Sequence, residues 1–369
     1  MGTEADERGC ALGDLPLSAF RPRSMLRVAE HPIEKPRYPV IDMHNHMLDG
    51  AGRWQVPDVA QIVDVMDQAG VAAMVDLDGG TGDRLKEHME RIRGPYPDRF
   101  AIFARCNWEA HRAQQDLGER LARDLQDAVR HGAEGLKIAK TLGLTIQDGE
   151  GRRLRVNDER LEPLWETAAD LGIPVLIHSA DPMAFFRPLD GTNELYEELL
   201  DNPDWHIWGA GRPDFEMVHG EMAEVFRKHR RTRFIGAHVA SLSEDLSRAG
   251  ALLDELPHLM VDIAARTPEL GRKPFSTRDF LIRYAGRVVF GLDWQGPPGD
   301  YRVMYRMLET QDEYFSYAWD VDADPGSDGR WRIYGAGLPD QALRALYYEA
   351  ALGILPRLGS AVEAMAQRI

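Results

Sequence analysis

Eight short apolar runs, each followed by an amphipathic stretch, constrain what this chain can fold into more than any other feature. Residues 40–44, 72–77, 100–106, 134–138, 173–178, 233–238, 258–264 and 287–292 read as strands, rich in aliphatic and β-branched side chains. Helical periods fill the gaps at 57–69, 83–93, 116–131, 158–171, 215–229, 242–256 and 277–285, with a last one at 339–352. Gly70, Gly132 and Gly172 sit where three of these helices must stop. Parallel neighbours need a crossover, so strand–helix alternation predicts a parallel α/β sheet. Eight repeats favour closure into a (β/α)8 TIM barrel over an open doubly wound sheet. No GxGxxG follows the first strand and no GxxxxGK[ST] occurs, so a nucleotide-phosphate cradle is unsupported.

A barrel takes ~250 residues, and this chain has 369. The surplus falls into an N-terminal extension, 1–36, ahead of a barrel domain spanning 37–369, and into long loops. One excursion, 140–157, carries turn residues at its centre (Asp148-Gly149-Glu150-Gly151) and predicts a small hairpin. A longer one separates the fifth and sixth strands and holds Phe185, Phe186, Trp205 and Trp208. Loops of that length after a strand are more often functional than accidental. Its stretch 181–211 is expected to lie over the barrel mouth. A third irregular segment, 296–335, is aromatic and rich in Pro and Gly.

The net charge of -16 argues against a nucleic-acid partner, and no apolar run approaches the ~20 residues of a membrane span. Two cysteines, Cys10 in a polar leader and Cys106 in an apolar run, make no disulfide framework. The acidic N-terminus lacks the apolar core of a signal peptide, and Asp6 stands where myristoylation wants Ser or Thr. A soluble cytoplasmic protein acting on a small molecule is expected, with association into a homo-oligomer left open.

The strand ends carry the chemistry. The first ends in His44-Asn45-His46, the fifth in His178, the sixth in His238 and the eighth in Gly291-Leu292-Asp293. In a closed parallel barrel these ends gather at one rim, where such folds keep their active sites. A lone histidine after a buried strand is usually a satisfied core group. Polar residues at the same point of four separate apolar strands are hard to attribute to chance.

Asp-x-His-x-His on the first strand, His on the fifth and sixth, and Gly-x-Asp on the eighth resemble the amidohydrolase superfamily. The closest flavour is the branch that groups small amidohydrolases with metal-dependent decarboxylases and lactonases. The resemblance implies that His44, His46, His178 and Asp293 ligate one divalent ion, Zn²⁺ first and Mn²⁺ second. Such an ion lowers the pKa of a bound water to ~7. The resemblance further makes Asp293 the proton carrier to the leaving group and has His238 polarise the scissile carbonyl or orient the water.

Lys137, on the fourth strand, stands where two-metal members carry a carboxylated lysine, so a second ion is expected only if it is carboxylated. Binding a substrate carboxylate and pairing with Asp76 are its alternatives. Asp262 and Arg266 end the seventh strand, and Arg266 either clamps a substrate carboxylate or forms an internal ion pair. Arg105 ends the third strand without a decided role. Trp294, with Phe185 and Phe186, could wall the pocket, or serve as plain packing without a function. The leading functional expectation is a hydrolase of amide or ester/lactone bonds in small carbonyl compounds. A non-oxidative decarboxylase of an unsaturated or aromatic carboxylate comes second, and a non-catalytic binding barrel third.

Overall fold

The computed structural model describes Pro16, residues 24–317 and residues 331–369. Cys10, much of the N-terminal extension and part of the 296–335 segment lie outside the described residues. All eight expected strands form: β1 (Val40–Asn45), β2 (Val71–Asp76), β3 (Phe100–Arg105), β4 (Gly135–Ile138), β5 (Pro174–Ile177), β6 (Arg233–Gly236), β7 (Met260–Asp262) and β8 (Val288–Val289). They pair in parallel in strict sequence order, with Val75 opposite Ala101, Arg105 opposite Lys137, and Lys137 opposite Leu176. No continuous ladder joins β8 to β1. Two backbone hydrogen bonds bridge that seam instead, Met43 N–H to Phe290 C=O (2.9 Å) and Asp293 N–H to His44 C=O (2.7 Å). The result is a TIM barrel whose last strand is its shortest.

Asp42 staples the seam. Its buried carboxylate accepts hydrogen bonds from the Tyr301 hydroxyl (2.8 Å), the Asn45 amide (2.8 Å), and the backbone of His44 (3.1 Å) and Leu292 (3.2 Å). Burial pushes this carboxyl up to about 6 despite those four donors.

The crossover helices follow the sequence pattern. Val59–Ala69 starts at Asp58, whose carboxylate accepts from the Ala60 N–H, and ends at Gly70 with φ +71°. Asp83–His88 runs without a break into a π turn, Met89–Arg93. The expected 339–352 helix is likewise interrupted, by a π turn at Ala345–Glu349. A helix that the pattern did not predict, Gly359–Ala366, sends Val362 and Met365 into the cluster with Ala72 and Leu355. Among the described residues no helix is long and apolar enough to cross a membrane.

The 140–157 excursion makes its turn, with Gln147 bridging Arg153 and the Gly151 N–H bonding to Asp148 C=O. The longer insertion contains three short helical pieces, Met183–Phe186, Tyr196–Asp201 and Pro203–Trp205. It packs against the C-terminal ends of β4 and β5. Asp181 pairs with Lys140 (2.8 Å), and the Lys140 ammonium sits 4.8 Å over the Trp205 ring.

Candidate metal centre

His44 is fully buried at the end of β1 and is held from both sides. Its Nδ1 lies 2.9 Å from Asp262 Oδ2, while its Nε2 lies 2.9 Å from both Asp293 Oδ1 and Lys137 Nζ. Gly291 makes this approach feasible, since a Cβ there would stand 2.7 Å from the His44 Cβ. That is why the chain reads Gly-x-Asp rather than any residue before Leu292. The β1–β2 register slips between Asp42 and Asn45, yet His46 still turns toward the same group. Its Nδ1 is 2.8 Å from Asp78 Oδ1 and its Nε2 is 3.7 Å from Asp293 Oδ1.

His238 follows β6 in an unusual backbone. His238, Val239, Ala240 and Ser241 all have φ between +53° and +60°. Consecutive left-handed non-glycine residues cost about 1–2 kcal/mol each. Here the conformation is over-determined: Asp262 Oδ1 accepts the His238 N–H (2.8 Å), and Ser241 Oγ donates to the Ser179 carbonyl (3.0 Å). Ala180, Ala265 and Asp293 are also left-handed, so seven of the eight such residues in the described chain lie on this rim. Strain of this kind gathers where a site must be held open.

The His238 Nδ1 sits 2.7 Å from the Ala264 carbonyl. A carbonyl only accepts, so Nδ1 carries the proton and Nε2 presents a lone pair. That Nε2 is buried and has no hydrogen-bond partner. Burial, with His178 next, holds the ring far below its usual pKa.

One ligand atom each from His44, His238 and Asp293 lies within 4.8 Å of the others. His178 falls outside that set, although its ring packs 4.4 Å from the His238 ring. Its Nε2 meets Asp181 Oδ1 (3.1 Å), and burial pulls its pKa down to about 4. Asp293 is held far below the usual carboxylate range by His44 and His238, against the opposing effect of burial.

Lys137 is 2 % exposed, and burial draws its pKa down to about 8. It does not pair with Asp76, which binds His88 Nδ1 through one oxygen and the Asp78 N–H through the other. Arg266 is buried, donates to the Ala265 carbonyl (2.8 Å), and forms no ion pair with a described carboxylate. The internal-pair alternative for it is therefore not realised. Phe185 and Phe186 do not wall a pocket. Phe185 stacks on Trp205 (6.0 Å) and Phe186 meets Phe215 edge to face (5.7 Å), and both phenylalanines are buried. Trp294 is 41 % exposed and donates to Asp300.

Sequence reasoning passed over Asp78 and gave Asp262 too little weight. Asp78 fixes His46 and also accepts from Arg105 (2.8 Å), which gives Arg105 its role. A carboxylate just beyond a strand end, opposite a histidine-bearing strand, is the signal for both. A cavity of about 520 Å³ opens after the ends of β3 and β4, between Trp108 and Thr141, and none of its lining residues belongs to this centre.

The arrangement fits a divalent cation. Three imidazoles have Nδ1 engaged by Asp262, Asp78 or a carbonyl, which turns each Nε2 toward the centre; that of His238 is without a partner, and that of His44 meets Lys137 and Asp293. His44 faces carboxylates from both nitrogens, and the positive charge beside its Nε2 comes from the Lys137 ammonium at 2.9 Å.

A family profile described as Amidohydrolase matches residues 41–357. The chain belongs to the amidohydrolase family. No curated protein matches it. Solved structures share its fold at low identity. An uncharacterised TIM-barrel protein from Bordetella bronchiseptica is 14 % identical at a TM-score of 0.54, covering 87 % of this chain and 99 % of that one. A dihydroxybenzoic acid decarboxylase from Polaromonas sp. JS666, solved with bound manganese and 2-nitroresorcinol, is 15 % identical at 0.55, with 87 % and 97 % covered. A 2,6-dihydroxybenzoate decarboxylase from Rhizobium is 14 % identical at 0.51, with 86 % and 99 % covered. For this amidohydrolase they establish the barrel and nothing finer.

Proposed function

We propose that this amidohydrolase is a metal-dependent hydrolase that opens an amide or ester/lactone bond of a small carbonyl compound. The observation that carries this reading is the convergence of His44, His238 and Asp293 within 4.8 Å, with His44 fixed by Asp262 and His238 by the Ala264 carbonyl. His44, His46, His178 and Asp293 would hold the ion, Zn²⁺ before Mn²⁺, with His238 completing the observed cluster and His178 first giving up the contact of its Nε2 with Asp181. A divalent ion there supplies Lewis acidity toward a carbonyl and toward water.

The chain's own groups do the rest. The Asp293 carboxylate, 27 % exposed toward the mouth, accepts a proton from water and delivers it to the leaving nitrogen or oxygen. His238 Nε2, a lone pair rather than an N–H, accepts a hydrogen bond from that water. This favours water orientation over carbonyl polarisation for His238. Lys137 and Arg266 offer positive charge to the substrate's oxygens.

A second reading, non-oxidative decarboxylation, is favoured by those two buried cations, which suit a substrate carboxylate. The decarboxylases among the similar structures support it as well.

The products separate the two: an amide yields a new amine, an ester or lactone yields acid, and decarboxylation yields carbon dioxide. Hydrolysis of an ester or lactone at neutral pH releases acid, whereas decarboxylation consumes a proton and releases carbon dioxide. Protein loaded with Zn²⁺ or Mn²⁺ is assayed on lactones, amides and hydroxybenzoates with a pH indicator and a carbon dioxide detector. Chelation should abolish turnover, and metal return should restore it. Carbon dioxide without hydrolysis would move the assignment to the second reading, and chelator-resistant turnover would reject both.

A further inference from the structure

A second histidine–carboxylate pair lies outside the metal centre, one layer behind it. His88, on the Asp83–His88 helix, is 1 % exposed, and its Nδ1 lies 2.5 Å from the Asp76 Oδ2. The Nε2 is buried and has no hydrogen-bond partner, so the ring has only one polar contact. A buried histidine with one nitrogen unsatisfied costs stability, and core packing against Trp54 alone would be served better by Phe or Leu.

The pair leads directly to His46. The other oxygen of Asp76 accepts the Asp78 N–H (2.9 Å), which sets the turn after β2. Asp78 in turn spends Oδ1 on His46 Nδ1 (2.8 Å) and Oδ2 on the Leu48 N–H (2.9 Å). A second route runs from the same helix through Trp54. The Trp54 indole lies between the His88 ring (4.6 Å) and the Arg91 guanidinium (4.0 Å), and it donates to Glu87. Trp54 bridges Leu48, and Gln55 beside it donates to the His46 carbonyl (3.0 Å). Both the ring and the backbone of His46 are thus anchored on one helix of the barrel's outer layer.

We infer that His88 is a positioning residue: through Asp76 and Asp78 it holds His46 with the proton on Nδ1 and the Nε2 lone pair facing Asp293. The inference about the His46 tautomer stands on these contacts, and its consequence for metal binding rests on the proposal that His46 is a ligand. The role fits the general pattern in which outer partners of a ligating histidine fix its tautomer and ring orientation.

The test uses His88→Phe, which keeps ring volume against Trp54 but removes the nitrogen, and His88→Asn, whose amide can replace the Nδ1–H donor. The tautomer of His46 is read from ¹⁵N imidazole shifts in the chelated full chain, the signal being assigned by its loss in His46→Ala. Metal affinity is read by competition between Zn²⁺-loaded protein and a chelator. Wild type should show the Nδ1–H form of His46. His88→Phe should show a mixture of tautomers and bind Zn²⁺ ~10-fold more weakly, and His88→Asn should restore both. If His88→Phe does not fold, Asp76→Asn carries the same expectation. An unchanged His46 spectrum in a folded His88→Phe or Asp76→Asn protein would overturn the inference. A changed tautomer with unchanged Zn²⁺ affinity would uphold the positioning role and remove His46 from the ligand set.

Discussion

The two sides of the barrel mouth are built differently. On the β1–β8 side, His44, His238, Asp262 and Asp293 come from four strand ends and hold one another across some 250 positions of sequence. Nearly every polar atom there has a partner on a different strand, so no residue can move alone. On the β4–β5 side, Lys140, Asp181 and Trp205 come from loops. Lys140 is about 30 % exposed, and the segment it anchors runs through three short helical pieces. Strand ends give fixed geometry, which proton transfer and metal ligation need. Loops can be exchanged without disturbing the barrel, which suits them to choosing a substrate. On the proposed reading, proton transfer belongs to the first side, with His178 and Lys137 reaching the centre from β5 and β4, and the loops of the second side choose the substrate.

The largest effect expected from this division is at Asp293. Asp293→Asn keeps the size and one coordinating oxygen but loses the charge and the basicity. Activity should fall by ~10²-fold or more, the scale of general acid–base catalysis, and the loss should appear in kcat. Metal content, measured by elemental analysis, should stay high because the histidines remain. Full recovery of activity with excess Zn²⁺ or Mn²⁺ would make Asp293 a ligand only and shift the base role to His238.

The same division explains what could be read from the sequence. A polar residue that closes an apolar strand is visible without a structure, so His44, His46, His178, His238 and Asp293 stood out, and the alternation gave the barrel. Partners were harder to see. Asp262 and Asp78 act because of what lies opposite them, and pairing across the barrel leaves no local trace. The left-handed run from His238 to Ser241 carries no glycine, the residue that would have announced it. Phe185 and Phe186 stayed open between pocket wall and plain packing for a related reason. An aromatic pair after a strand looks alike whether it lines a pocket or fills a core, and here Trp205 and Phe215 draw both inward. Strand β8 keeps only two residues in the ladder because Gly291 and Asp293 leave it to make room for His44.

A middling effect is expected at Lys140. Lys140→Met keeps a side chain of similar length but removes the ammonium from over Trp205 and leaves the buried Asp181 without its cation. Breaking such a pair should cost about 1–3 kcal/mol, less than for a fully buried one because Lys140 is partly exposed. Hydrogen exchange should rise across 181–211 while the amides of β1 stay protected. KM should rise several-fold with kcat nearly kept. Equal loss of protection in β1 would show that the two sides form one cooperative unit.

The effect that is smallest at neutral pH, because it appears only in acid, concerns the packing behind the loop side. His219, on the Phe215–Lys228 helix, stacks on Phe215, which packs against Phe186 from the insertion. The ring is 4 % exposed, its Nδ1 lies 3.2 Å from the Arg248 guanidinium, and its Nε2 has no partner. Burial first, and Arg248 second, pull its pKa down from 6.5 to about 4. The unfolded chain therefore binds a proton more readily than the folded one between those two values. Stability that is fully present above pH 6.5 is lost as the pH falls toward 4, by up to roughly 3 kcal/mol from this one group. His219→Leu, an apolar residue in the same apolar surroundings, should flatten that part of the stability profile. Urea melts of both proteins at pH 7 and pH 4.5 read the difference directly. The variant should lose less stability on acidification than the wild type, with exchange across 181–211 rising less. Identical losses in the two proteins would mean that His219 finds a counter-charge on protonation, and acid weakness would then have to be sought on the strand-end side of the mouth.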